Sequence, residues 1–178
     1  MAALIRPPPA IVWIDLEMSG LDLDNDTILQ IACIVTEGDL SGAVEGPEIT
    51  IHHSEEVLAS MNDWCKENHG KSGLTQAVRD SNVSLVEAEQ QMLEFVQQHI
   101  PEPGAAQVAG NSVHVDVAFL KRYMPRLAEY FHYREYMRGP RKKNAHTAMA
   151  DIRESIQQLE YYRSSIFKKW SGMSMPRR

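Results

Sequence analysis

The stretch Ile11-Val12-Trp13-Ile14-Asp15-Leu16-Glu17 constrains this chain more than any other. It is β-branched and aromatic, follows Pro7-Pro8-Pro9 and ends at Ser19-Gly20, which reads as a buried strand running into a turn. Residues two apart on a strand share a face, so Asp15 and Glu17 point the same way with Cα atoms roughly 6.6 Å apart. Like charges that close disfavour each other's ionised form unless a cation shares them. A pair of Mg²⁺ or Mn²⁺ ions about 3.5–4 Å apart is the usual such cation. Two solvated acids at a frayed strand end satisfy the same spacing.

The rest of the pattern follows from that strand. Asp22 to Asp26 forms an acidic turn, Ile28 to Thr36 reads as a second strand and Glu48 to His52 as a short third, with Glu37-Gly38-Asp39 as a hairpin turn between them. Helical pieces run from about Glu55 to Arg79, broken near Gly70 and Gly73. Ser84-x-x-Glu87 is a capping box opening a longer amphipathic helix to about His99. Ala106 to Gly110 reads as a short strand, Val115 to Met124 as a helix stopped by Pro125, and His146 to Phe167 as a last long helix. Strands first, then strands alternating with helices, predict an α/β domain with a mixed sheet flanked by helices.

At 178 residues, the chain is long enough for one sizeable core and short for two. We divide it into a short segment 1–10, one domain over 11–170 and a basic tail, 171–178, expected to be disordered. A net charge of −6 argues against coating long nucleic acid by bulk charge. Local phosphate contacts remain open through Arg134, Arg138, Arg141, Lys142 and Lys143. Cys33 and Cys65 read as buried thiols in a reducing compartment. No apolar run approaches eighteen residues, and Met1 to Ala10 is short for a targeting peptide, so a cytoplasmic location without a membrane span is the expectation.

Three more residues could join the first pair. Asp116 falls in or near the first turn of a helix, where the dipole favours an acid whether or not it does chemistry. His146 and Asp151, five apart, would be separated by about 140° on one continuous helix. They converge only if His146 sits at the helix start, with Asn144 or Thr147 as cap; His146 could then deprotonate water while Asp151 ligates metal. A surface His and a helix-face Asp remain the plain alternative. Zinc at His52, His53, Cys65 and His69 is disfavoured, because adjacent residues on a strand point to opposite faces and only one Cys is near.

Asp15-Leu16-Glu17-Met18-Ser19-Gly20-Leu21, Gly110-Asn111-Ser112-Val113-His114-Val115-Asp116 and His146 through Asp151-Ile152 together resemble the oligoribonucleases. These are DEDDh 3′-to-5′ exonucleases of the RNase H-like, RNase T superfamily. Asp63-Trp64-Cys65-Lys66, His69 through Leu74 and Lys121 through Pro125 extend the likeness from Val12 to Lys169. The resemblance implies an RNase H-like fold, a homodimer, and removal of 5′-mononucleotides from short single-stranded RNA. Asp15, Glu17, Asp116 and Asp151 would hold two divalent ions, Mg²⁺ or Mn²⁺, with His146 as general base. Leu21 and Trp64 would contact bases; His69, Ser112 and His114 would line the site; Tyr133 and Arg134 would serve the substrate, Arg134 at its terminal phosphate. Trp64 as ordinary core filler is the alternative.

After His132-Tyr133-Arg134 the sequence departs from the family, which continues with a strand and a helix. Only 20 residues, 126–145, separate Pro125 from His146, too few for a helix end, an average strand and another helix of about eleven residues. An edge strand and a helix are therefore expected to be missing. That departure motivates one rival, an impaired nucleic-acid-binding or dimerising isoform; among enzymes, the rival is a DEDDh exonuclease acting on DNA or longer RNA. A mitochondrial pool also stays open.

Overall fold

A computed structural model describes residues 9–131, 135–137 and 148–165. His132, Tyr133, Arg134, Asn144, His146, Thr147 and the tail lie outside the described residues. The first strand, β1 (Ile11–Met18), is followed by β2 (Ile28–Thr36) and β3 (Val44–Thr50). Four helices come next: α1 (Glu55–Ser60), α2 (Asp63–Ser72), α3 (Leu74–Asp80) and α4 (Leu85–His99). Then come β4 (Gln107–Gly110), α5 (His114–Tyr123), α6 (Pro125–Tyr130), β5 (Glu135–Met137) and α7 (Ala148–Ser165). The sheet order is β3-β2-β1-β4-β5. β1 pairs antiparallel with β2 and parallel with β4, so the sheet is mixed, as expected.

The alternation within β1 divides the interior. Val12, Ile14 and Leu16 face one core with Ile31, Cys33 and Val35 of β2, covered by Met92 and Val96 of α4 and Phe119 and Leu120 of α5. Ile11 and Trp13 face the other way, with Ala32, Ile34 and Ala109, beneath Ala148, Met149 and Ile152 of α7. Asp15 and Glu17 continue the row of Ile11 and Trp13. The two acids thus lie on the α7 face. A register shift between Glu17 and Met18 ends regular pairing there, and such irregularities re-aim nearby side chains.

Local chemistry explains the element ends. Ser84 and Glu87 form the expected capping box on α4. Pro125 stops α5 and also opens α6, where its missing N–H costs nothing. The buried Glu89 carboxylate accepts from the Arg126 and Leu127 amides at 2.8 and 3.2 Å, capping that helix.

One expectation needs correction. β3 begins at Val44, before Gly46 and Pro47, rather than at Glu48. A proline is tolerated on an edge strand at an irregularity, and β3 is an edge strand whose register shifts opposite this point. Gly46 is required there, since a Cβ would lie 2.6 Å from both Cys33 Sγ and a Phe95 ring carbon. At the sheet edge where the family's strand is expected to be missing, the three-residue β5 pairs parallel with β4, Val108 opposite Glu135 and Gly110 opposite Met137. Three residues suffice to cover a four-residue strand. The expected loss of a helix falls on positions outside the described residues. Among the described residues, no helix is long and apolar enough to cross a membrane.

Candidate active site

Three carboxylates from two distant segments converge. Asp15, Glu17 and Asp151 each offer an oxygen, and these atoms all lie within 4.8 Å of one another, at intermediate burial. β1 supplies the first two from one face. Asp151 comes from the first turn of α7, which lies across that face and is seated by the apolar contacts of Ala148, Met149 and Ile152. Negative charges at this separation repel, and a hard divalent cation with oxygen ligands relieves that repulsion. The donor set therefore fits Mg²⁺ or Mn²⁺ better than a softer ion.

Asp116 reaches the same strand from the other side. It is 5% exposed, in the first turn of α5, and its Oδ1 accepts the Leu16 amide N–H at 3.0 Å. β4 pairs with β1 only as far as Trp13. Beyond that point the Asp116 carboxylate takes up a β1 amide between Asp15 and Glu17. The path from β4 to α5 runs close over β1: a Cβ on Gly110 would lie 2.6 Å from the Ile14 carbonyl, and Ser112 adopts a left-handed φ of 54°. Ser112 and His114 are exposed at that helix start.

Past Glu17 the chain makes a tightly bonded loop. Ser19 Oγ donates to Asp26 Oδ1 at 2.8 Å and accepts the Thr27 amide at 3.1 Å, while Asp26 Oδ2 accepts the Asp22 amide at 2.9 Å. Gly20 is needed because a side chain there would run into the Asp26 carboxylate. Tyr123 of α5 donates its hydroxyl to the Leu23 and Asp26 carbonyls. The loop holds Leu21 outward, 73% exposed.

Trp64, in the first turn of α2, is 60% exposed, which removes the core-filler alternative. Asn62 caps that helix by accepting the Cys65 amide at 2.9 Å. Burial, helped by the charges of Asp26 and Glu17, holds the Cys65 thiol above its ordinary pKa. Farther along α2, His69 is only 3% exposed. Its Nε2 lies 2.9 Å from the Met18 carbonyl and so donates there, which turns Nδ1 toward Glu17 Oε2 at 3.9 Å. His53, one of the residues weighed for zinc, instead uses Nε2 on the Ile28 carbonyl at 2.8 Å. Burial holds its pKa below the ordinary value.

Sequence reasoning missed the residues that seat α7. Glu48 Oε1 accepts the Met149 amide at 3.3 Å, and Arg153 makes a two-point pair with Glu45, at 2.8 and 2.6 Å. Their only advance signal is register: Glu48 lies opposite Ala32, which lies opposite Asp15.

Comparison with known proteins bears on the family and the fold. The RNase T exonuclease family matches residues 12–158. The mitochondrial oligoribonuclease of Homo sapiens is 47% identical over 186 aligned positions, taking in 95% of this chain and 78% of that protein. The oligoribonuclease of Pseudomonas aeruginosa strain PAO1 is 46% identical over 180 positions, 92% of this chain and 99% of that one. Both alignments are longer than the chain itself, so these relatives carry residues that it lacks. Among solved structures, exonuclease I of Methylocaldum szegediense superposes with a TM-score of 0.65 at 17% identity, over 89% of this chain and 41% of that one. Escherichia coli exonuclease I in complex with a dT13 oligonucleotide gives 0.63 at 13%, over 88% and 41%. These two likenesses bear on the fold, which is that of the RNase H-like exonucleases. With the family match spanning most of the sequence and nearly half of the residues identical to animal and bacterial relatives, the chain belongs to the oligoribonuclease family of hydrolytic 3′-to-5′ exoribonucleases.

Proposed function

We propose that this chain removes 5′-mononucleotides from the 3′ end of single-stranded RNA a few residues long, as a homodimer, using two Mg²⁺ or Mn²⁺ ions per site. The observation that carries the reading is the convergence of Asp15, Glu17 and Asp151 within 4.8 Å; Leu21 and Trp64 are exposed apolar side chains. Asp116 is the fourth ligand in this reading, oriented by its bond to the Leu16 amide. When bound, the ions lower the pKa of the attacking water and neutralise charge at the phosphoryl group and the leaving 3′-oxygen.

The chain's own residues do the rest. Leu21 and Trp64 offer apolar faces to the bases, contacts that any base can make. Ser112 and His114, exposed at the start of α5, border the site. His69 braces the Glu17 end of β1 through the Met18 carbonyl. His146 takes the proton of the attacking water, and Tyr133 and Arg134 receive the far end of the substrate, Arg134 at a terminal phosphate. Free, buried Cys33 and Cys65 favour a reducing compartment, the cytoplasm in our reading, with a mitochondrial pool as the alternative.

Steady-state hydrolysis of RNA ladders from two to twelve nucleotides, with matched DNA, tests the substrate. We expect kcat/KM to be highest on the shortest RNA and to fall with length. A rate that rises with length, or DNA preferred over RNA, would replace this substrate with a longer or deoxy one.

A further inference from the structure

Glu48 stands outside the acidic cluster yet in its row. Asp15 lies opposite Ala32, and Ala32 opposite Glu48, so the three share a sheet face, with Glu48 about 10 Å from Asp15 at two strand spacings. α7 crosses this face. The first four amides of a helix have no partner within it, and Glu48 Oε1 takes one of them, Met149, two residues before Asp151.

Among the described residues, α7 is held to the sheet chiefly by apolar contacts. Toward β1 and β2 the helix presents Ala148, Met149 and Ile152, an apolar contact that resists lifting but is non-directional. Toward the α2–α3 junction it is not close-packed: an open cleft of about 400 Å³ lies there, with Glu48 and Met149 themselves in its wall beside Gly73, Leu74, Ala150 and Arg153. The two-point Glu45–Arg153 pair ties the helix to β3 one turn farther along, on the surface where solvent screens it. A hydrogen bond to one particular amide of the first turn does fix rotation. Each residue turns the helix by about 100°, so a modest rotation moves the Asp151 carboxylate away from the two acids of β1.

We propose that Glu48 is a positioning residue: by accepting the Met149 amide it sets the rotation at which Asp151 meets Asp15 and Glu17, and thereby the affinity of the cluster for divalent cations. This inference rests on the metal-binding reading above.

The test uses the full chain as wild type, Glu48→Ala, Glu48→Gln and Asp151→Asn. Mn²⁺ binding is read from the paramagnetic resonance of the free ion, and thermal unfolding is followed in EDTA. Glu48→Ala should raise the Mn²⁺ dissociation constant about 5- to 10-fold, within the range of a lost helix cap. The dinucleotide KM at saturating Mn²⁺ should stay within about twofold. Glu48→Gln keeps an Oε1 acceptor and should recover wild-type affinity to within about twofold. Unchanged Mn²⁺ affinity in Glu48→Ala, even with a lowered Tm, would make Glu48 merely structural and overturn the proposal. Glu48→Gln binding as weakly as Glu48→Ala would also overturn it, assigning the effect to long-range charge. Should wild type and Asp151→Asn bind Mn²⁺ equally, the metal-binding reading itself falls, whatever Glu48 does.

Discussion

The Leu16 amide donates to Oδ1 of Asp116 across 3.0 Å and 100 residues of sequence. That bond ties the start of α5 to the stretch of β1 between Asp15 and Glu17. A carboxylate so held has one oxygen committed to the backbone, which orients the group before any cation arrives. Asp116→Asn can keep this bond through its amide oxygen while losing the charge. We expect it to fold normally and to lose more than about 100-fold in turnover, since even outer-shell partners cost about 10- to 100-fold. Thermal unfolding and dinucleotide kinetics on the same preparation check both parts.

Asp15→Asn and Asp151→Asn each remove a charge from the crowded group. Apo protein should be as stable as wild type or more so, because repulsion is relieved, while activity is lost. A lowered Tm in EDTA would show that the carboxylates hold the fold together rather than straining it.

His146→Ala should lower kcat by about 10²- to 10⁴-fold, the usual contribution of a positioned general base, with little change in Mn²⁺ affinity. In wild type the rate should rise with pH as the imidazole loses its proton, because only the neutral ring accepts one. Retained turnover at saturating metal, with weakened Mn²⁺ binding, would make His146 a ligand instead.

Trp64→Ala should raise KM for a dinucleotide about 5- to 100-fold, corresponding to the loss of about 1–3 kcal/mol of stacking on one base. The fold should be untouched, since the ring is 60% exposed. Kinetics with circular dichroism as control decide. Unchanged KM would mean that the bases lie elsewhere.

Burial pushes the Cys33 thiol up to about 12, so at pH 8 it stays protonated and unreactive. Iodoacetamide should label it only as the protein unfolds. The sign for stability follows: the unfolded chain gives up this proton first, near 8.5, so the group's contribution to folding is present below that pH and falls as pH rises above it. Labelling of Cys33 within minutes under native conditions would show that the core around β2 opens readily.

Much of this was legible in the sequence, for reasons particular to each residue. Alternation placed Asp15 and Glu17 on one face of β1, and the Ser84–Glu87 spacing located the start of α4. Gly46 and Pro47 hid the first half of β3, because a breaker is tolerated only on an edge, and edges are a property of the assembled sheet. Glu135 to Met137 is too short to register as a strand without β4 beside it. The meeting of Asp151 with β1 was not readable from spacing; it depends on how α7 crosses the sheet, and only family resemblance anticipated it. Glu48 was invisible for the same reason.

The most direct measurement is Mn²⁺-dependent hydrolysis of a 5′-labelled diribonucleotide by wild type and Asp151→Asn, side by side, with an EDTA control. Wild type with Mn²⁺ should convert it to 5′-mononucleotides, with no conversion in EDTA or by Asp151→Asn. Equal conversion in EDTA, or by Asp151→Asn at saturating Mn²⁺, would contradict this reading.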